Sequence, residues 1–187
     1  MKKVFIIHGF NAEPNGGWRP WLMGELAKKD IYACALPMPT PDFPIKEEWI
    51  QTIKNAITNP NEEIFLIGHS LGVPTILNYL QSFKNNEIIG GAILVSGPAF
   101  KIEEDGYEYV NKFLDIELDF SHIKNVCKKF VVIHGDNDKA VPFSDGEYLS
   151  KNLSCDLTSV PNGKHLAGHD GFYEFPKLLE SLEKMMK

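Results

Sequence analysis

Three short stretches of the chain carry residue types that could do chemistry together. The first is Gly68-His69-Ser70-Leu71-Gly72, preceded by the apolar run Ile64-Phe65-Leu66-Ile67 and followed by an amphipathic stretch. A Gly-x-Ser-x-Gly segment between a strand and a helix holds its serine in a strained backbone conformation and projects the hydroxyl above the sheet. The glycines are a steric requirement, because a Cβ at either position would meet the neighbouring strand or the helix across so tight a turn. Serine is a poor nucleophile at neutral pH, so the elbow matters only if a base and an orienting acid reach it. Candidates for both follow in His134-Gly135-Asp136-Asn137-Asp138-Lys139-Ala140-Val141-Pro142 and in Pro161-Asn162-Gly163-Lys164-His165. A serine, an acid and a histidine in concert would perform acyl transfer through a covalent intermediate on Ser70.

Each of these residues has a plainer reading. Ser70 could be an ordinary turn residue or a helix N-cap, a position that serine favours. Asp138 could close an Asx turn, and Asp136 competes with it for the role of acid. His169 rivals His165, although His165 follows the last apolar run more closely and carries the Gly-x-His pattern, which leaves His169 as a surface or helix-start residue. His8, His69 and His134 adjoin glycines at strand ends, where histidines more often support loops than do chemistry. A metal held by Asp136, Asp138, His165 and His169 would leave the serine elbow unexplained.

The elements that must position these residues follow from periodicity. Short apolar runs rich in β-branched residues alternate with stretches of helical period, the pattern of a parallel sheet covered on both faces. Strands are predicted at Lys3 to Ile7, Ile31 to Leu36, Glu63 to Ile67, Gly91 to Val95, Phe130 to Ile133 and Cys155 to Val160. Helices are predicted at Trp21 to Lys29, Lys46 to Thr58, Leu71 to Phe83, Ser144 to Asn152 and Phe175 to Met186. The elbow, the acid loop and the histidine loop then all leave the carboxyl ends of strands, on one edge of the sheet. The aromatic and acidic segment from Gly97 to Asp119 breaks the alternation. It reads as an excursion above the sheet, facing either substrate or solvent.

With 187 residues the chain suits a single α/β domain over 1–187. Its 43% hydrophobic and 24% charged residues are those of a globular protein, and the net charge of -6 argues against a nucleic-acid partner. Lys2-Lys3 precedes an apolar run too short for a secretory leader, and no stretch approaches a membrane span, so no membrane association and a cytoplasmic location are expected. Cys34, Cys127 and Cys155 are widely spaced and read as buried free thiols. No Gly-x-Gly-x-x-Gly or phosphate loop is present, and no cofactor is expected.

The order serine, acid, histidine is the one associated with α/β-hydrolases. The acid loop is similar to that of many such enzymes, in which the second acid is the triad member, here Asp138. The chain as a whole resembles the small, cap-less serine hydrolases related to retinoblastoma-binding protein 9 and its bacterial homologues. The resemblance runs through His8-Gly9-Phe10, Trp18 and Trp21, Leu36-Pro37-Met38-Pro39, the elbow, Leu94-Val95-Ser96-Gly97, the acid loop and Gly163-Lys164-His165-Leu166. It implies an α/β-hydrolase fold with a six-stranded parallel sheet in the order 2-1-3-4-5-6, helices on both faces and no large cap. It also implies a serine esterase or related acyl hydrolase, with a peptidase or thioesterase as alternatives, and an interaction module with a vestigial triad as a rival from another class. The Leu-x-Cys-x-Glu motif is only approached, by Leu153-Ser154-Cys155-Asp156-Leu157, which reads as a buried strand and gives no support for a retinoblastoma-type partner.

In that frame His165 is the base, Asp138 orients it, and the oxyanion donors are the backbone N–H groups of Leu71 and Phe10. Trp18, Met38, Phe43, Phe100 and Phe143, with Phe10, are expected above the strand ends as an apolar pocket for a small acyl or aromatic group of a small-molecule substrate, each phenylalanine having a core position as its alternative.

Overall fold

The structure is a computed structural model and describes residues 1–84 and 86–187. Six strands, β1 (Lys3–Ile7), β2 (Tyr32–Leu36), β3 (Ile64–His69), β4 (Gly91–Val95), β5 (Phe130–Gly135) and β6 (Asp156–Val160), form one parallel sheet in the order β2-β1-β3-β4-β5-β6. The helices are α1 (Arg19–Ala27), α2 (Lys46–Ala56), α3 (Gly72–Gln81), α4 (Glu108–Asn111), α5 (Phe120–Val126), α6 (Phe143–Leu153) and α7 (Pro176–Met185). This is the α/β-hydrolase architecture without a cap domain.

Alternation along the inner strands explains the two layers of core. Phe5, Ile7, Leu66, Leu94 and Val132 point to one face and are covered by Trp49 and Ile53 of α2, Ile76 and Leu80 of α3, Ile123 of α5 and Leu149 of α6. Val4, Ile6, Ile67, Ile93 and Val95 point to the other and are covered by Leu22 and Leu26 of α1 and Leu178 and Leu182 of α7. Because β1, β3 and β4 are buried on both sides, their sequences are apolar runs apart from Lys3 at the start of β1 and His69 at the end of β3. β1 therefore lies inside the sheet, and the edges are β2 and β6.

Several details depart from the expectations. Helix α1 starts at Arg19 and not Trp21, since Pro20 is compatible with a first turn. Helices α4 and α5 are additions; α5 is capped by the Asp119 carboxylate, which accepts from the His122 amide at 3.0 Å. Cys127 is buried, whereas Cys34 and Cys155 are only half-buried, and all three are free. The segment Leu153 to Leu157 is not a buried strand: Leu153 ends α6, Ser154 turns left-handed at φ 55°, and Asp156 opens the edge strand β6 with an exposed side chain. Among the described residues no helix is long and apolar enough to cross a membrane.

Candidate active site

Ser70 stands between the end of β3 and the start of α3 with φ 54°, a left-handed conformation that costs a serine about 1–3 kcal/mol and persists only where the surroundings over-determine it. Here they do. The Ser70 amide donates to Val95 O at 2.9 Å, and Ser70 O accepts from the Val73 amide at 2.9 Å. A Cβ on Gly68 would lie 2.8 Å from the backbone of Gly72, and one on Gly72 would lie 2.2 Å from Ile7 O. Helix and strand thus close on the elbow from opposite sides, as the glycine pattern requires. The loop after β1 comes equally near, since a Cβ on Gly9 would lie 2.8 Å from Ser70 Cβ. Among the described residues, the amides of Phe10 and Leu71 donate to no backbone carbonyl.

The acid loop follows β5 and the histidine loop follows β6. Asp138 Oδ2 accepts from His165 Nδ1 at 2.8 Å, while Oδ1 accepts from the amides of Ala140 and Val141 at 2.8 and 3.0 Å. Burial pushes the Asp138 carboxyl up, but the bond from His165 and the two amides outweigh it and leave the group below its ordinary range. With Nδ1–H committed to a carboxylate, His165 presents Nε2 as a proton acceptor. No hydrogen bond joins His165 to Ser70, though both line one cavity; catalytic contacts of this kind commonly tighten only on substrate binding.

The competing residues hold the loops. Asp136 Oδ1 accepts from the Asn162 amide at 2.8 Å and Asn137 Oδ1 from the Lys164 amide at 2.7 Å, which ties the acid loop to the histidine loop. Asp170 Oδ2 accepts from the His165 amide at 3.1 Å. His69 Nε2 donates to His165 O at 2.9 Å, and Trp18 Nε1 donates to Leu166 O at 3.0 Å. These bonds stabilise a loop in which Asn162, Lys164 and Leu166 all have positive φ. Burial, with the neighbouring His165, lowers His69 to about 3, so it stays neutral. His8 and His134 are also lowered by burial; His8 accepts from the Met38 amide, and His134 Nε2 donates to Val141 O.

The cavity at Ser70 has a volume of about 210 Å³. The apolar groups walling it are Phe10, Ile102, Tyr107, Val110 and Val141, with His169 at its margin. The excursion thus borders the cavity at Ser70 and supplies Pro98, Ile102, Tyr107 and Val110 to its lining. Only Phe10 was expected there. Trp18 and Met38 are buried in the two cores, Phe43 is exposed against the Tyr109 ring, and Phe143 packs edge-on against His134. Phe100 faces a separate apolar cavity of about 380 Å³ with Phe120 and Tyr148. None of these five residues lines the cavity at Ser70: Trp18 and Met38 are taken up by the core, Phe43 and Phe100 are exposed beside other rings, and Phe143 is held against His134. Ile102 and Val110 carry no signal in an aperiodic segment, and His169, expected as a surface or helix-start residue, is 78% exposed in the short 3-10 turn Gly168–Asp170.

A family model described as serine hydrolase matches residues 4–184. The Bacillus subtilis (strain 168) protein YdeN, named as a candidate hydrolase, is 33% identical over 181 residues, covering 97% of this chain and 94% of YdeN. The crystal structure of the ydeN gene product superposes with a TM-score of 0.94 at 32% identity, over 99% of this chain and 98% of that one. Est1E from Butyrivibrio proteoclasticus, solved with ferulic acid bound, gives a TM-score of 0.75 at 17% identity, over 100% of this chain and 88% of Est1E, a likeness of fold.

Proposed function

The chain belongs to the serine hydrolase family, and from that premise we infer that it cleaves small carboxylic esters through an acyl-enzyme on Ser70. The observation that carries this reading is the convergence, at one small apolar cavity, of a serine at φ 54° and a histidine whose Nδ1 is bonded to Asp138 at 2.8 Å. His165 Nε2 takes the Ser70 proton as Oγ bonds to the carbonyl carbon, and the carbonyl electron pair moves to oxygen. That oxyanion is held by the amides of Leu71 and Phe10, at the N-terminus of α3, where the helix dipole adds to the field. Collapse expels the alkoxide, which takes the proton from His165. Water then repeats the sequence on the acyl-enzyme and restores Ser70. Every group needed belongs to the chain, and the reaction requires no cofactor.

A fluorophosphonate probe tests the reading, since it reacts only with an activated serine. Labelling is expected on the peptide containing Ser70. Ser70→Ala is expected to abolish labelling and to lower ester turnover by at least ~10⁴-fold. Normal turnover by the alanine variant overturns the reading, and a panel of ester, thioester and aminoacyl amide with the same acyl group separates it from thioesterase or peptidase activity.

A further inference from the structure

Beside the apolar cavity at Ser70 lies a second one of about 410 Å³, and Ala140, His165 and His169 line both. Its remaining walls carry charge from Lys139, Lys164, Asp138 and Asp170. The two carboxylates bordering this space are already engaged. Asp138 is bonded to His165, Ala140 and Val141. Asp170 is largely buried, with Oδ2 accepting from the amides of His165 and Ala167 at 3.1 and 3.4 Å. The cations are freer. Lys139 is exposed and makes no ion pair among the described residues, and Lys164 Nζ stands 3.9 Å from Asp170 Oδ1, a loose contact. His169 is 78% exposed at the junction of the two cavities.

We propose that this second space receives the leaving group of the substrate and that the leaving group carries an anion, held by Lys139 and Lys164. The inference rests on the esterase reading above. The leaving oxygen must be protonated by His165 Nε2, so the departing half sits on the side of the imidazole, while the acyl half fills the apolar cavity. The preferred substrate class is then a small acyl ester of an alcohol or phenol bearing a carboxylate. Because the molecule as a whole carries a net charge of -6, attraction of an anion to this space depends on the two nearby lysines and is sensitive to salt.

The test compares 3-acetoxybenzoate with 3-acetoxybenzamide, which share size and acetyl group and differ in charge. The ratio of their kcat/KM values, divided by the ratio of their alkaline hydrolysis rates, is expected to exceed one at low ionic strength and to fall as salt is added. Lys139→Gln and Lys164→Gln are each expected to lower that ratio about two- to fivefold, and together roughly tenfold, the range for exposed charge pairs. Lys139 is exposed, so its variant gives a reading even if the Lys164 change disturbs the histidine loop. A corrected ratio of one or below in the unaltered protein, or one unchanged in Lys139→Gln and in the double variant, overturns the proposal while turnover of the neutral ester leaves the esterase reading intact. Failure to turn over either ester overturns both.

Discussion

At Asp138 the two carboxylate oxygens divide their work: Oδ1 is fixed by the Ala140 and Val141 amides, and this aims Oδ2 at His165. An amide in its place could offer His165 an N–H, favouring the wrong tautomer, so Asp138→Asn is expected to lower ester kcat by roughly 10⁴-fold with the fold intact. His165→Ala should be as damaging. Asp136→Asn keeps an oxygen for the Asn162 amide and His169→Ala removes an exposed ring, so both should keep turnover of a neutral ester within about tenfold of normal, the cost of a small positional disturbance. Steady-state kinetics on the four variants decides, and a larger loss at Asp136 or His169 than at Asp138 or His165 would reverse the assignment of roles.

Among the elements, the excursion between β4 and β5 lines the cavity at Ser70. A cavity of about 210 Å³ lies below the ~300 Å³ at which drug-sized ligand pockets begin, so acetate and butyrate esters should be hydrolysed with higher kcat/KM than octanoate or dodecanoate esters. Ile102 is half-buried on this wall, and Ile102→Ala should move the preference toward longer acyl chains by about tenfold or more, since each accommodated methylene contributes roughly 1 kcal/mol. A p-nitrophenyl ester series below micellar concentrations reads both effects; a steady rise toward dodecanoate in the unaltered protein refutes this account of the pocket. The elements differ in how far residues foretold them. The strands and the Gly68–Gly72 elbow were legible because burial on both faces and a tight turn leave few alternatives at each position. The pocket was not, because Ile102, Tyr107 and Val110 meet Ser70 only through the path of an aperiodic segment. Trp18 shows the same limit: its proximity to the site was foreseeable, but its hydrogen bond to Leu166 O from the core side was not.

For the whole molecule, three buried histidines shape the response to acid. His8, His69 and His134 have folded-state pKa values below the unfolded value of 6.5, His69 at about 3, so below pH 6.5 the unfolded chain binds more protons. Stability is therefore full above that pH and falls as pH drops, by about 1.4 kcal/mol per pH unit from His69 alone until the folded protein also takes its proton. Asp138, whose carboxyl is held below its ordinary range, adds a further loss at lower pH as it becomes protonated. Urea midpoints should drop by an amount equivalent to about 2 kcal/mol or more between pH 6.5 and 5, and a flat profile would contradict neutral burial of these rings. The sheet order has a separate consequence. Ser70 hangs from β3, which has a strand on each side, whereas His165 hangs from β6, which is bonded to β5 alone and lies partly exposed at the rim. Detaching β6 exposes little apolar surface compared with breaking the centre, so the rim should open at lower denaturant than the rest. Turnover should then vanish at a urea concentration where the circular dichroism of the folded state persists, making enzymatic activity an early gauge of fraying at one edge. Coincident loss of the two signals would instead mean that all six strands part as a single cooperative unit.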